Sequence, residues 1–153
     1  MQYVMVELQK TNADNPDFIQ LVAQLDAELK IRDGEDHDFY NQYNKINNIN
    51  YVIVAYQNKV PVGCGAIKYF DEQRMEVKRM YVREASRGQG LASAILNALE
   101  AWASELQFKT CILETGINQP EAIGLYKKCG YSIIPNYGQY EGVSTSFCFS
   151  KAL

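Results

Sequence analysis

The chain has almost no histidine and no clustered cysteine. One histidine, His37, occurs in 153 residues, and the four cysteines (Cys64, Cys111, Cys129, Cys148) stand far apart in apolar segments. No C-x-x-C pair is present, so neither a zinc site nor a thioredoxin-like redox motif is encoded, and no metal is expected. Buried, reduced thiols are the plain reading of all four. Long apolar runs are also missing. No stretch approaches the ~20 residues of a membrane span, and the opening "MQYVMVELQK" has no signal-peptide layout, so a cytoplasmic protein is the expectation. Positive charge is not in excess: a net charge of −3 supplies no field for nucleic acid and no polybasic membrane signal. Repeats and low-complexity segments are absent too.

What is there suits one folded domain over 1–153. Hydrophobic residues make up 47% and charged residues 22%, and the length suffices for a stable core without staples. "YVMVEL" (3–8) reads as an opening strand. "ADNPDFIQLVAQLDAEL" then carries helix-start chemistry, with Asp14 or Asn15 as cap and Pro16 in the first turn. Its residues Phe18, Leu21, Val22, Leu25 and Leu29 recur at helical spacing. The polar stretch "KIRDGEDHDFYNQYNKINNIN" follows, with Phe39, Tyr40 and Tyr43 on a short second helix.

"YVIVAYQNKVPVGCGAIKYF" reads as two strands about a turn at Gln57–Lys59, and "RMEVKRMYV" as a third after the turn at Asp71–Gln73. A helix with the stripe Leu91, Ile95, Leu99, Trp102 and Leu106 comes next. After it come the apolar strand "KTCILET" and a helix in "QPEAIGLYKKCGY", with Pro120 at its start and Gly130 at C′. "STSFCFSKAL" is the final strand candidate. Strand–helix–strand over 75–115 forms a βαβ unit whose strands lie parallel with a right-handed crossover. The other strands pair as hairpins. The fold class is therefore α/β (α+β), a mixed and mostly antiparallel central sheet flanked by helices.

The stretch "REASRGQGLA" joins the third meander strand to its helix in about seven residues. Glycines let such a turn reach positive φ and approach a ligand without a Cβ in the way. The first N–H groups of the helix have no intrahelical partner, the dipole adds partial positive charge there, and Arg87 adds a full one. This composition suits a phosphate or pyrophosphate, or else is a plain surface turn. It is neither G-x-G-x-x-G nor a P-loop, which excludes the Rossmann and nucleotide-triphosphatase readings.

"RGQGLA" resembles the arginine/glutamine-x-x-glycine-x-glycine/alanine signature of the GCN5-related N-acetyltransferases (GNAT), whose turn cradles the pyrophosphate of acetyl-coenzyme A. "EVKRMYV" is similar to the family's fourth strand, and "ETGINQPEAIGLYKKCGY" to its fifth strand and following helix. The likeness is strong from roughly Val60 to Tyr131. "LETG" with "NYGQY" resembles a subgroup of small acetyltransferases. The resemblance implies the acyl-CoA N-acyltransferase fold and an acetyl-CoA-dependent N-acetyltransferase acting on the primary amine of a small molecule, an amino acid or related amine. Two alternatives stand beside it: acetylation of a protein terminus or lysine, and a non-catalytic coenzyme A-binding regulatory module. Family members often pair through their C-terminal strands, which points to a homodimer.

Residue by residue, the resemblance places Arg87, Gly88, Gln89, Gly90, Leu91 and Ala92 on the pyrophosphate. It places the backbone of Met80 and Val82, with Tyr81 between them, along the pantetheine arm, and aims the Met80 N–H at the thioester carbonyl. Tyr126 becomes the acid that protonates the departing thiolate, or a structural tyrosine beside Leu125. Glu76 becomes the base, or a strand-edge carboxylate paired with Lys78 or Arg74. Strand alternation puts Glu76, Lys78 and Met80 on one face. The family's asparagine seven residues before the tyrosine is Gln119 here, with Asn118 one place earlier, so either amide could contact the coenzyme. Lys127 and Lys128 could neutralise its 3′-phosphate. Candidates for the acceptor pocket are Arg32, Asp33, Asp36, His37, Tyr40, Tyr43, Arg79, Tyr137 and Tyr140. Within that set Arg32 or Arg79 would hold a carboxylate, and the acids would hold an ammonium.

Overall fold

The computed structural model describes residues 5–34 and 49–153. Strand β1 (Val6–Thr11) leads into helix α1 (Pro16–Asp33); β2 (Tyr51–Gln57), β3 (Val60–Tyr69) and β4 (Arg74–Val82) form a meander. Helix α2 (Leu91–Glu105), β5 (Thr110–Gly116), α3 (Pro120–Lys128), β6 (Ser132–Ile134) and β7 (Ser146–Ala152) complete it. The seven strands make one sheet in the order β1-β2-β3-β4-β5-β7-β6. All pairs are antiparallel except β4 with β5.

Local chemistry explains the boundaries. Asn15 caps α1, its Oδ1 accepting from the N–H groups of Asp17 (2.8 Å) and Phe18 (3.1 Å). The five apolar positions expected on its inner face are all buried. Gly130, at φ +94°, follows the last turn of α3 as the expected C′ residue. β1 lies three residues later than the apolar content of "YVMVEL" suggests. Its bounds follow from the partner strand, each residue from Val6 to Thr11 finding one between Gln57 and Val52. The proposed second helix, and with it Asp36, His37, Tyr40 and Tyr43, falls outside the described residues.

Two apolar layers sandwich the sheet. Ile53, Ala55, Val77, Cys111, Leu113 and Phe149 face α2 and α3, while Val52, Val54, Cys64 and Ala66 face Phe18, Leu21 and Val22 of α1. Strands buried on both faces read as the continuous apolar runs seen in the sequence. A third cluster (Ile112, Tyr137, Tyr140 and Cys148) lies beneath the 3₁₀ turn Gly138–Tyr140.

One irregularity shapes the middle of the sheet. Cys64 pairs with Tyr81 but Ala66 pairs with Lys78, so Gly65 alone stands opposite Arg79 and Met80. Arg79 is the bulge residue, in the left-handed region at φ +59°. This corrects the expectation from alternation. Past the bulge the faces swap: Met80 packs with Val77 and Met75 on the α2 side, and Tyr81 joins the α1 side. A Cβ on Gly65 would fall 2.5 Å from Met80 Sδ, so glycine is what lets Met80 fold back there.

Candidate active site

Parallel pairing between β4 and β5 stops at Glu76↔Ile112, whereas β5 stays paired with β7 along its whole length. From Val77 to Val82 the β5-facing edge of β4 therefore has no neighbouring strand among the described residues. Two connected hollows fill the wedge. One is a cleft of about 450 Å³ between the β4 edge, the turn into α2, and helices α1 and α3. The other is a cavity of about 100 Å³ at the wedge's root. Met80, Gln119 and Tyr126 border both.

The turn is built from backbone. Gly88 and Gly90 both sit at φ +80°, and a Cβ at either would meet nothing within 4 Å, so their requirement is dihedral rather than spatial. Gly90 caps α2 in the left-handed conformation and offers no side-chain bond, and the helix ladder begins with Ala94 N–H donating to Gly90 O at 3.0 Å. The N–H groups ahead of it are left to face a ligand. Arg87, Gly88, Gly90, Leu91 and Ala92 line the cleft; Gln89 does not, and its Oε1 accepts from Gln57 Nε2 at 2.7 Å. Arg87 is tied at both ends of its guanidinium: Nε donates to Val82 O (2.8 Å) and Nη2 to Glu28 Oε2 (2.7 Å). Its charge is thus already shared with a carboxylate. Met80, Tyr81, Val82, Gln119 and Lys128 border the cleft, while Asn118 is not among its lining residues.

Tyr126 sits where cleft and cavity meet, 6% exposed. Its ring packs edge-on against Tyr131 (5.8 Å) and tilted on Phe149 (6.2 Å). Burial, then the charge of Glu114 and the Cys129 thiol, pushes the phenol well above its ordinary range. It stays protonated at any working pH.

The cavity is built from side chains. Glu76, Lys78, Glu114, Asp33 and Tyr140 line it together with Arg79 and Tyr126. Glu76 is buried, not at a strand edge; its Oε2 accepts from Tyr137 O–H at 2.6 Å and its Oε1 lies 3.8 Å from Lys78 Nζ. Arg74 pairs with Asp71 instead. Burial lowers the Lys78 pKa, against the pull of Glu76 and Glu114. Burial likewise raises the Glu114 carboxyl to about 7, although Ser146 Oγ donates to it at 2.7 Å.

Several sequence candidates are placed differently from expectation. Arg32 lines the cleft rather than the cavity, and its guanidinium is gripped by Glu121 (2.7 and 3.0 Å) and Glu28 (3.2 Å). Arg79 has a side chain 2% exposed, pairs with Asp26 of α1, and keeps an Nε without a hydrogen-bond partner. Tyr137 reaches the cavity only through Glu76. Sequence reasoning missed Glu114. Its signal was available: a lone acid following the apolar run Cys111–Leu113 in a strand read as buried on both faces. Among the described residues no three or more His, Cys, Asp or Glu side chains are placed so that they could hold a metal ion.

A sheet splayed at its middle, with a glycine-lined helix start at the mouth of the split, is the architecture this chain shares with solved acyl-CoA N-acyltransferases. The sequence profile of the acetyltransferase (GNAT) family matches residues 17–131, and the chain belongs to that family. The Escherichia coli (strain K12) N-acetyltransferase YjgM, itself uncharacterized, is 31% identical over 135 residues, covering 81% of this chain and 80% of that one. A protein of Klebsiella pneumoniae subsp. pneumoniae MGH 78578, described as an acyl-CoA N-acyltransferase, superposes with a TM-score of 0.82 at 31% identity, over 97% and 98% of the two chains. A GNAT family acetyltransferase from Elizabethkingia anophelis, solved with acetyl-CoA bound, shares the fold at 17% identity: TM-score 0.71, over 97% of this chain and 98% of that one. This chain is accordingly an acetyl-transferring enzyme.

Proposed function

We propose that the protein transfers the acetyl group of acetyl-CoA to the primary amine of a small molecule, an amino acid or related amine, by direct attack on the thioester. The observation that carries this reading is the continuous path from the unpaired N–H groups of the turn, along the free edge of β4, to Tyr126 and the acid-lined cavity. In it, the N–H groups from Gly88 to Ala92 hold the pyrophosphate, with the α2 dipole behind them. Arg87 holds the turn to β4 and α1. The β4 edge at Met80 and Val82 pairs with the pantetheine arm like an added strand. Gln119, which borders the cleft, takes the amide contact in place of Asn118, and Lys128 lies within reach of a phosphate.

The Met80 N–H stabilises the oxyanion of the tetrahedral intermediate. Tyr126, protonated in the resting enzyme, gives its proton to the thiolate as the C–S bond breaks. The cavity takes the amine. Its acids favour an ammonium, and Arg32 and Arg79 are both already paired with carboxylates of the chain. About 100 Å³ suits a small amine rather than a folded partner.

Thermal-shift titration tests the cleft: no stabilisation at saturating acetyl-CoA would remove both the transferase and the regulatory-module readings. Tyr126→Phe separates those two. We expect kcat to fall at least ~10-fold with acetyl-CoA affinity retained, measured as coenzyme A release against a panel of small amines. An unchanged rate excludes the acid role.

A further inference from the structure

We propose that Glu114 on β5 is the carboxylate that takes the proton from the acceptor's ammonium, and that Glu76 is the fixed negative charge holding that ammonium in place. The inference rests on the acetyl-transfer reading above and deepens it by separating two glutamates that share one cavity.

Their surroundings differ. Both oxygens of Glu76 are engaged by the chain, Oε2 with the Tyr137 hydroxyl (2.6 Å) and Oε1 facing Lys78 Nζ (3.8 Å). The Glu76 carboxylate is thus anchored from both sides by groups of the chain. Glu114 has no ion-pair partner among the described residues. Its Oε2 accepts from Ser146 Oγ at 2.7 Å, while Oε1 accepts from no described residue. The groups facing it come from every neighbouring element: Glu76 and Lys78 of β4, Asp33 of α1, Tyr126 of α3, Tyr140 of the 3₁₀ turn and Cys148 of β7. Burial is the largest influence, and the acids Glu76 and Asp33 add to it, outweighing Lys78 and the Ser146 bond, so that the carboxyl stands at about 7.

That value suits the task. An ammonium of pKa about 10 gives its proton to an ordinary carboxylate of pKa about 4 against a ratio of roughly 10⁶, and to one near 7 against roughly 10³. The proton moves from the ammonium to Glu114 Oε1, and the freed lone pair attacks the thioester carbon, forming C–N as the carbonyl pair moves onto oxygen. Collapse restores C=O and breaks C–S, with the electron pair leaving on sulfur. Tyr126 O–H protonates that sulfur, the nitrogen's surplus proton restores the phenol, and Glu114 sheds its proton to water.

The test is the pH dependence of kcat/KM for the amine at saturating acetyl-CoA in wild type, Glu114→Gln and Glu76→Gln. Wild type is expected to rise through an inflection near pH 7. Glu114→Gln is expected to lose that inflection and about 100-fold in kcat, while Glu76→Gln keeps the inflection and raises KM. An inflection that survives in Glu114→Gln, or vanishes in Glu76→Gln instead, overturns the assignment. Glu114→Asp guards against a folding defect: it should retain the inflection at a reduced rate, and its loss there counts against the assignment. Carbon-13 NMR of the glutamate carboxyls reads Glu114 without turnover, and a midpoint in the ordinary range near 4 overturns the assignment alone. Failure of wild type to acetylate any amine overturns the transfer reading and this assignment with it.

Discussion

The cleft proposed for the donor and the cavity proposed for the acceptor share Tyr126 and Met80 but are made of different material. The cleft is backbone: positive-φ glycines, free N–H groups at a helix start, and a strand edge left open by the splay of β4 from β5. The charged side chains that border it, Glu28, Arg32, Arg87 and Glu121, are joined to one another in partly exposed ion pairs. The cavity is side chain: two glutamates, an aspartate and a lysine brought out of water into about 100 Å³. Two of these groups, Glu114 and Lys78, are held away from their ordinary state by burial, and this weighs on stability.

The largest expected effect follows from that contrast. Glu114 is raised from 4.5 to about 7 in the fold. Between those values the folded protein keeps a proton that the unfolded chain has lost, so stability falls as pH rises from about 4.5 to 7 and stays lowered above. The full span corresponds to at most about 3 kcal/mol. Glu114→Gln keeps the shape and an acceptor for Ser146 without the charge. It should therefore raise the unfolding free energy by up to that amount at pH 8 and leave it unchanged near pH 4. Urea denaturation at both pH values checks this; equal effects at the two would mean that the carboxylate is not under strain.

The two regions also differed in how far the sequence revealed them. The turn was legible because its requirement is local: Arg87, Gly88 and Gly90 are adjacent, and the dihedrals they permit are properties of residue type. Asn15, Pro16 and Gly130 marked helix ends for the same reason. The cavity was not. The bulge at Arg79 depends on how β3 and β4 register against α2, and it moved Met80 off the face of Glu76 that alternation assigned to it. Arg32 and Arg79 looked like free cations, yet Glu121, Glu28 and Asp26, distant in sequence or a turn away on α1, had already taken them. Glu114 owes its character to burial between β4, β7 and α3, which "LETG" hints at only as an acid in an apolar strand.

A middle-sized effect tests whether the turn works through its dihedrals. Valine at position 90 would have to enter the left-handed region at a cost of about 1–2 kcal/mol, whereas asparagine tolerates it far better. Gly90→Val should weaken acetyl-CoA binding by about 5–30-fold, and Gly90→Asn by much less, as read by calorimetric titration. Since open space surrounds the position, equal losses in the two variants would show that the ligand itself, rather than the backbone, excludes a side chain.

The smallest effect concerns the charged side chains along the cleft wall. Arg87 donates to Glu28, Glu28 also pairs with Arg32, and Arg32 grips Glu121, so a chain of ion pairs links the turn, α1 and the start of α3 along the cleft wall. These partners are at least a quarter exposed, and such pairs contribute about 0.2–1 kcal/mol. If Glu28 stands where a phosphate's charge would otherwise draw Arg87, Glu28→Gln should tighten acetyl-CoA binding about 2–5-fold at low salt. The gain should shrink toward physiological ionic strength as screening grows. Weaker binding in that variant would instead mean that Glu28 orients Arg87 for the turn, making the cleft dependent on a side-chain contact after all.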